Sequence, residues 1–155
     1  LKYGDLSNQA SKDYIFDIDR FTSFEGNTGP YILYTIVRIG SILEKYRETA
    51  AAEPAKESSI YAAAEEASPA GKKLALCISR YSEVIASAWE ETAPHKICQY
   101  IYEISDEFNS FYHDVKVLSE PDEAKRQSYI ALLSLTRELL LRCIDMLGFK
   151  APDKM

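Results

Sequence analysis

The chain has 155 residues and a formal net charge of −6 at pH 7, with 46% hydrophobic and 27% charged residues. This composition is typical of a globular domain and excludes intrinsic disorder and a collagen-like repeat. No apolar run approaches the ~20 residues of a membrane-spanning helix, and no signal peptide opens the chain. We therefore expect a compact cytoplasmic protein. Leu1 stands where Met would start a complete protein, which indicates a piece of a longer polypeptide.

The charge is unevenly distributed along the chain. Residues 53–107 hold ten acidic and five basic residues, and the isoelectric point is about 5.0. Sequence-independent binding to a phosphate backbone needs clustered Lys and Arg, so we expect no DNA binding. Recognition of unpaired RNA bases by stacking and hydrogen bonds is compatible with this charge.

The first long helix is predicted over residues 28–47. Thr28 or Asn27 can cap it, and Pro30 suits its first turn. Its apolar residues recur three or four positions apart, as on the buried face of a helix: Ile32, Ile36, Ile39, Leu43 and Tyr46. This stripe predicts a helix that packs one side against a core.

The middle of the chain is simpler in composition. Residues 49–71 are rich in Ala with two prolines and no large apolar stripe, which predicts a low-complexity connector. Two short helices are then predicted over residues 72–80 and 83–91, with a break near Tyr81.

Two long helices complete the predicted architecture. The first follows Pro94, and its stripe is the strongest periodic signal in the chain: Ile97, Ile101, Ile104, Phe108, Phe111 and Val115. The second starts after Asp122 and ends at Gly148. Because no segment alternates with period two, the sequence predicts an all-α bundle of five or six helices.

The sequence offers no catalytic constellation. His95 and His113 lie about five turns apart on one predicted helix, and His95 with Cys98 supplies only two of the three or four ligands that a metal needs. There is also no glycine-rich phosphate loop and no nucleophile elbow. We therefore predict no catalytic residue, metal or cofactor in this chain.

Two other sets of reactive residues have structural interpretations. Cys77, Cys98 and Cys143 are widely spaced and odd in number, which predicts buried, reduced thiols. Asp17 and Asp19 are spaced like metal ligands but have few acidic neighbours, so a helix cap or a surface pair is the favoured interpretation.

A few polar and aromatic residues lie off the apolar stripes. Tyr34 and Arg38 are one turn apart on the first long helix, opposite its stripe. Beside the stripe of the helix after Pro94 runs a predicted polar and aromatic rim: Ser105, Asn109, Tyr112 and Lys116. Tyr beside a cation is typical of platforms that bind single-stranded nucleotides, although such pairs are also common on ordinary surfaces.

Several ordered motifs together resemble one protein family. They are Phe24-Glu25-Gly26-Asn27-Thr28-Gly29-Pro30-Tyr31, Tyr34 with Arg38, Phe108-Asn109-Ser110-Phe111-Tyr112, Leu147-Gly148 and Ala151-Pro152-Asp153-Lys154-Met155. In this order and spacing they resemble the C-terminal part of arginyl-tRNA synthetases. Segments 2–7 and 14–20 are similar to the stretch that joins the catalytic core to that part.

The resemblance implies two parts within this chain and a separate catalytic domain. Residues 1–27 would connect to a catalytic core, and residues 28–155 would form an α-helical anticodon-binding domain of the DALR type. The implied parent is a class I arginine–tRNA ligase, whose ATP and arginine sites lie in the catalytic domain. This chain alone would not aminoacylate tRNA. Its implied partners are arginine tRNA and the catalytic domain of the same polypeptide, in a monomeric enzyme without membrane contact.

The resemblance also carries over individual contacts. Tyr34, Arg38, Tyr112 and the terminal Met155 match the family's anticodon contacts, and Asn109 lies beside them on the same rim. Lys116 stands where some members have an aromatic residue, which favours a phosphate contact there.

Two other interpretations remain open at this point. A helical protein–protein interaction module would use exposed Tyr and Trp as anchors. A stand-alone tRNA-binding homologue, or a related synthetase with the same helical domain, would share the motifs.

Overall fold

A computed structural model describes residues 1–49 and 68–155. Within these two ranges every regular element is a helix, which confirms the predicted all-α class. The α-helices are α1 (Lys2–Ser7), α2 (Ile18–Thr22), α3 (Gly29–Thr49), α4 (Pro69–Ser79), α5 (Tyr81–Glu90), α6 (Pro94–Asp114) and α7 (Glu123–Met146), and a 3₁₀ turn covers Val117–Ser119. None of these helices is both long and apolar enough to cross a membrane.

The helix starts are determined by local side-chain chemistry. The Thr28 hydroxyl oxygen accepts a hydrogen bond from the Tyr31 amide at 3.3 Å, which confirms Thr28 as a cap of α3. The Asp17 carboxylate accepts from the Arg20 amide at 3.1 Å at the start of α2. The capping interpretation of Asp17 is therefore confirmed.

Helix α6 lies at the centre of the bundle and packs against α1, α3, α4, α5 and α7. Its predicted stripe is buried except for Ile97, which is only partly covered. Because neighbours approach α6 from several sides, its buried arc is wider than the stripe. Ser105, predicted on the polar and aromatic rim where the helix leaves the core, is fully buried, and its hydroxyl donates to the Ile101 carbonyl at 2.7 Å. The prediction for Ser105 is therefore wrong.

Helix α4 begins earlier than predicted. The Ser68 hydroxyl accepts from the Gly71 amide at 3.0 Å, and Pro69 occupies the first turn, where its missing N–H costs no bond. Residues 69–71 are therefore helical and not part of a connector. The remainder of that predicted connector, residues 50–67, lies outside the described residues.

The last helix and the tail behind it are held by α1. Gly148 has φ of +77°, which suits the turn after α7. The Lys2 ammonium donates to the Gly148 carbonyl at 2.7 Å, and the Tyr3 ring meets Phe149 edge-on at 6.0 Å. The segment after α7 is thus fixed against the start of the chain.

The three cysteines are free and buried, as predicted. Burial raises the pKa of Cys98 and of Cys143 to about 12, and that of Cys77 to about 11. At pH 8 these thiols are therefore protonated, whereas the reactive form is the thiolate.

We expect the native chain to react with a disulfide reagent such as DTNB at least about a hundredfold more slowly than the urea-unfolded chain at pH 8. The absorbance of released thionitrobenzoate measures both rates. Since each pKa is raised, the native rate should stay low between pH 7 and pH 9. Rapid reaction of all three thiols in the native chain would contradict their burial.

Candidate nucleic-acid interface

A surface pocket of about 740 Å³ lies where α3, α6 and the last residue of the chain meet. Aromatic side chains dominate its walls, with one cation and one amide among them. Its lining residues are Phe24, Tyr31, Tyr34, Arg38, Asn109, Tyr112, His113 and Met155. A pocket of this size and composition suits a flat aromatic ligand.

Helix α3 contributes one wall of the pocket. Tyr31, Tyr34 and Arg38 are three and four positions apart, so they share one face, while the isoleucine stripe is buried on another. Tyr34 is 43% exposed, and Phe24 from the preceding loop meets it edge-on at 6.2 Å. This wall therefore offers two accessible aromatic surfaces.

Helix α6 contributes the facing wall. Tyr112 stacks on the fully buried Phe108, with ring centroids 5.9 Å apart and an interplanar angle of 26°. The guanidinium carbon of Arg38 lies 4.4 Å from the centroid of Tyr112. This contact is a cation–π interaction, and it holds the charge of Arg38 at the pocket.

A hydrogen-bonded chain joins the two walls. Arg38 Nη1 donates to Asn109 Oδ1 at 3.4 Å, and Asn109 Nδ2 donates to the Tyr31 hydroxyl oxygen at 2.8 Å. Burial raises the pKa of Tyr31 above its ordinary value, although the bond from Asn109 opposes this shift. Tyr31 therefore keeps its proton at neutral pH.

The structure brings together five of the six residues that the sequence nominated: Tyr34, Arg38, Asn109, Tyr112 and Met155. Lys116 is exposed and does not line the pocket. It was expected one turn beyond Tyr112, but α6 ends at Asp114 and Val115 is extended. A phosphate contact by Lys116 stays a prediction.

Three residues that line the pocket were not nominated as site residues from the sequence. Tyr31 could have been found, since it lies seven positions before Arg38 on the same face of α3. His113 follows Tyr112 directly and carried no separate signal. Phe24 lies in a loop that turns at Gly26, where φ is +75°, and helical periodicity cannot place such a residue.

The chemistry of the pocket is that of binding. It combines aromatic faces, a guanidinium and an amide, which can stack on a base and hydrogen-bond to its edge. Within residues 1–49 and 68–155, no three His, Cys, Asp or Glu side chains gather as they would around a metal ion.

Known proteins are similar to this chain over all or nearly all of its length. A family model described as the DALR anticodon binding domain matches residues 32–155. Arginine–tRNA ligases of Agathobacter rectalis and Alkaliphilus oremlandii are 62% and 50% identical to the whole chain, which covers 26% and 25% of their lengths.

The chain thus spans about a quarter of the length of the curated relatives it matches. The arginyl-tRNA synthetase structure of Thermus thermophilus aligns with 99% of the chain, and the chain covers 26% of that structure, with a TM-score of 0.84 at 28% identity. The resemblance to arginyl-tRNA synthetases is confirmed, and the chain belongs to the DALR anticodon binding domain family.

Proposed function

We propose that this chain binds the anticodon loop of arginine tRNA through the pocket between α3 and α6. The observation that carries the proposal is the convergence of Tyr34, Arg38, Asn109, Tyr112 and Met155 on one cavity. Four of these residues were matched to the family's anticodon contacts from the sequence alone. Their meeting in space is an independent support.

The genetic code defines the ligand of the pocket. All arginine codons share only a middle G, so their tRNAs share only a middle C in the anticodon. A reader of this letter must accept a hydrogen bond from the cytosine amino group and donate to its ring nitrogen or carbonyl oxygen.

Each wall of the pocket has a part in this recognition. Tyr34 offers an exposed ring on which a splayed loop base stacks. On the opposite wall, the guanidinium of Arg38 lies over Tyr112. A base stacks on this pair, or the guanidinium donates hydrogen bonds to a phosphate of the loop. The segment that ends at Met155 closes the pocket with its main-chain groups.

The proposal extends to the longer protein. There, this chain would direct arginine tRNA to a catalytic domain that ligates arginine to it with ATP, in a monomeric cytoplasmic enzyme. The share of the relatives' length that the chain covers supports a separate catalytic part.

Fluorescence anisotropy tests the proposal. The 155-residue chain is titrated against a labelled arginine anticodon stem-loop at low, fixed salt, since phosphate contacts make affinity depend on salt. A second stem-loop differs only in carrying U for the middle C. We expect at least about tenfold tighter binding of the C loop.

Equal affinity for the two loops, or no measurable affinity at low salt, would contradict anticodon reading by this chain. The alternative, a protein–protein interaction module, would then gain weight, with Trp89 as its candidate anchor because this residue is 86% exposed.

A further inference from the structure

We infer that the Tyr31 hydroxyl is a base-reading group of the pocket and that Asn109 is its positioning residue. This inference rests on the proposed function and adds to it the atom that distinguishes cytosine from uracil. Tyr31 was not among the residues nominated from the sequence, and Asn109 was nominated as a direct contact.

Arg38 determines the orientation of the Asn109 amide. A guanidinium has donors and no acceptor, so the amide group that faces it must be the oxygen. The distance from Arg38 Nη1 to Asn109 Oδ1 is 3.4 Å. The amide nitrogen is therefore directed to the other side of Asn109, where it donates to the Tyr31 oxygen at 2.8 Å.

This orientation determines what Tyr31 can offer. The Asn109 nitrogen cannot accept a proton, so the Tyr31 hydroxyl must direct its own proton elsewhere. Tyr31 lines the pocket, and within residues 1–49 and 68–155 the structure shows no hydrogen bond donated by its hydroxyl. Burial and, more weakly, the Asp106 carboxylate raise the pKa of this hydroxyl, so the proton stays on it. Tyr31 therefore presents a hydrogen-bond donor to whatever enters.

A fixed donor discriminates between the two pyrimidines. The ring nitrogen N3 of cytosine is an acceptor, whereas N3 of uracil carries a proton. The Tyr31 hydroxyl can donate a hydrogen bond to N3 of cytosine. Against uracil, its proton would face the proton on N3. Asn109 uses one oxygen lone pair for Arg38 and one N–H for Tyr31. Its contribution to recognition is assigned to this second bond, which holds the Tyr31 hydroxyl.

The experiment is a double-mutant cycle on the 155-residue chain with the C and U stem-loops. Tyr31→Phe keeps the ring and removes the hydroxyl. We expect affinity for the C loop to fall about fivefold to tenfold. Affinity for the U loop should stay within about twofold, because uracil N3 carries a proton and accepts no bond from this hydroxyl. A merely structural loss would lower the affinity for both loops.

Asn109→Ala tests the positioning role. Alone, it should reduce the preference for C as Tyr31→Phe does. In the Tyr31→Phe background it should change the preference no further, since the group that it positions is gone. Independent, multiplicative effects would overturn the positioning role and make Asn109 a direct contact.

Tyr102→Phe is the matched control. Its ring lies against Tyr31 at 5.8 Å, but Tyr102 does not line the pocket. It should leave the preference for C unchanged. If the Tyr31→Phe chain still preferred the C loop as strongly as the wild-type chain does, this inference alone would be overturned. If the wild-type chain itself showed no preference for the C loop, the proposed function would be overturned as well.

Discussion

Tyr112→Ala should weaken binding of the arginine anticodon stem-loop about tenfold to a hundredfold. The substitution removes a ring of the pocket wall and the surface on which the Arg38 guanidinium rests at 4.4 Å. Stacking contributes ~1 to 3 kcal/mol per base in single-stranded recognition, and the loss of an ordered cation adds to this. Anisotropy titration at fixed low salt gives the dissociation constant.

Two control variants separate recognition from folding. Tyr112→Phe retains the ring over Phe108 and under Arg38, so its affinity should stay within about threefold of wild type. Trp89→Ala removes a larger exposed ring away from the pocket and should have no effect. If Tyr112→Ala bound the loop as tightly as wild type, the assignment of this wall would be refuted.

The largest loss of stability is expected for Phe111→Ala. Phe111 is fully buried on α6 and meets Tyr129 of α7 edge-on at 5.5 Å. On its other side it lies beside Gly71 of α4, where an added Cβ would come within 3.4 Å of the ring. Removing a ring that joins three helices should lower the free energy of unfolding by about 3 to 5 kcal/mol.

Urea unfolding followed by circular dichroism measures this change, provided that the slope with denaturant stays the same. Leu76→Ala is the matched control, because Leu76 is 69% exposed on α4 and its loss should cost less than about 0.5 kcal/mol. A change below about 1 kcal/mol for Phe111→Ala would show that this part of the core closes around the missing ring.

Local patterns were sufficient to predict most of the fold. The stripe of α3, the cap at Thr28 and the end at Gly148 depend on neighbours in sequence, and the structure retains all three. Ser105 could not be predicted in this way. Its burial depends on how many helices surround α6, and spacing along one helix contains no information about that number.

The difference between local patterns and contacts between helices also explains which pocket residues could be predicted. Tyr34 and Arg38 were found because an exposed aromatic and a cation one turn apart are visible in the sequence of one helix. The bond between Asn109 and Tyr31 joins residues 78 positions apart, so it required the packing of α3 against α6. Lys116 was misplaced because periodicity does not show that a helix stops at Asp114.

The tail that α1 holds has a practical consequence for anyone preparing this protein. Lys2 donates to the Gly148 carbonyl and Tyr3 packs on the Phe149 ring, and six residues after Phe149 the chain reaches the pocket at Met155. A purification tag fused after Met155 would start at the mouth of the binding site and compete with RNA for it. The same tag before Leu1, which is 70% exposed, would leave that site open.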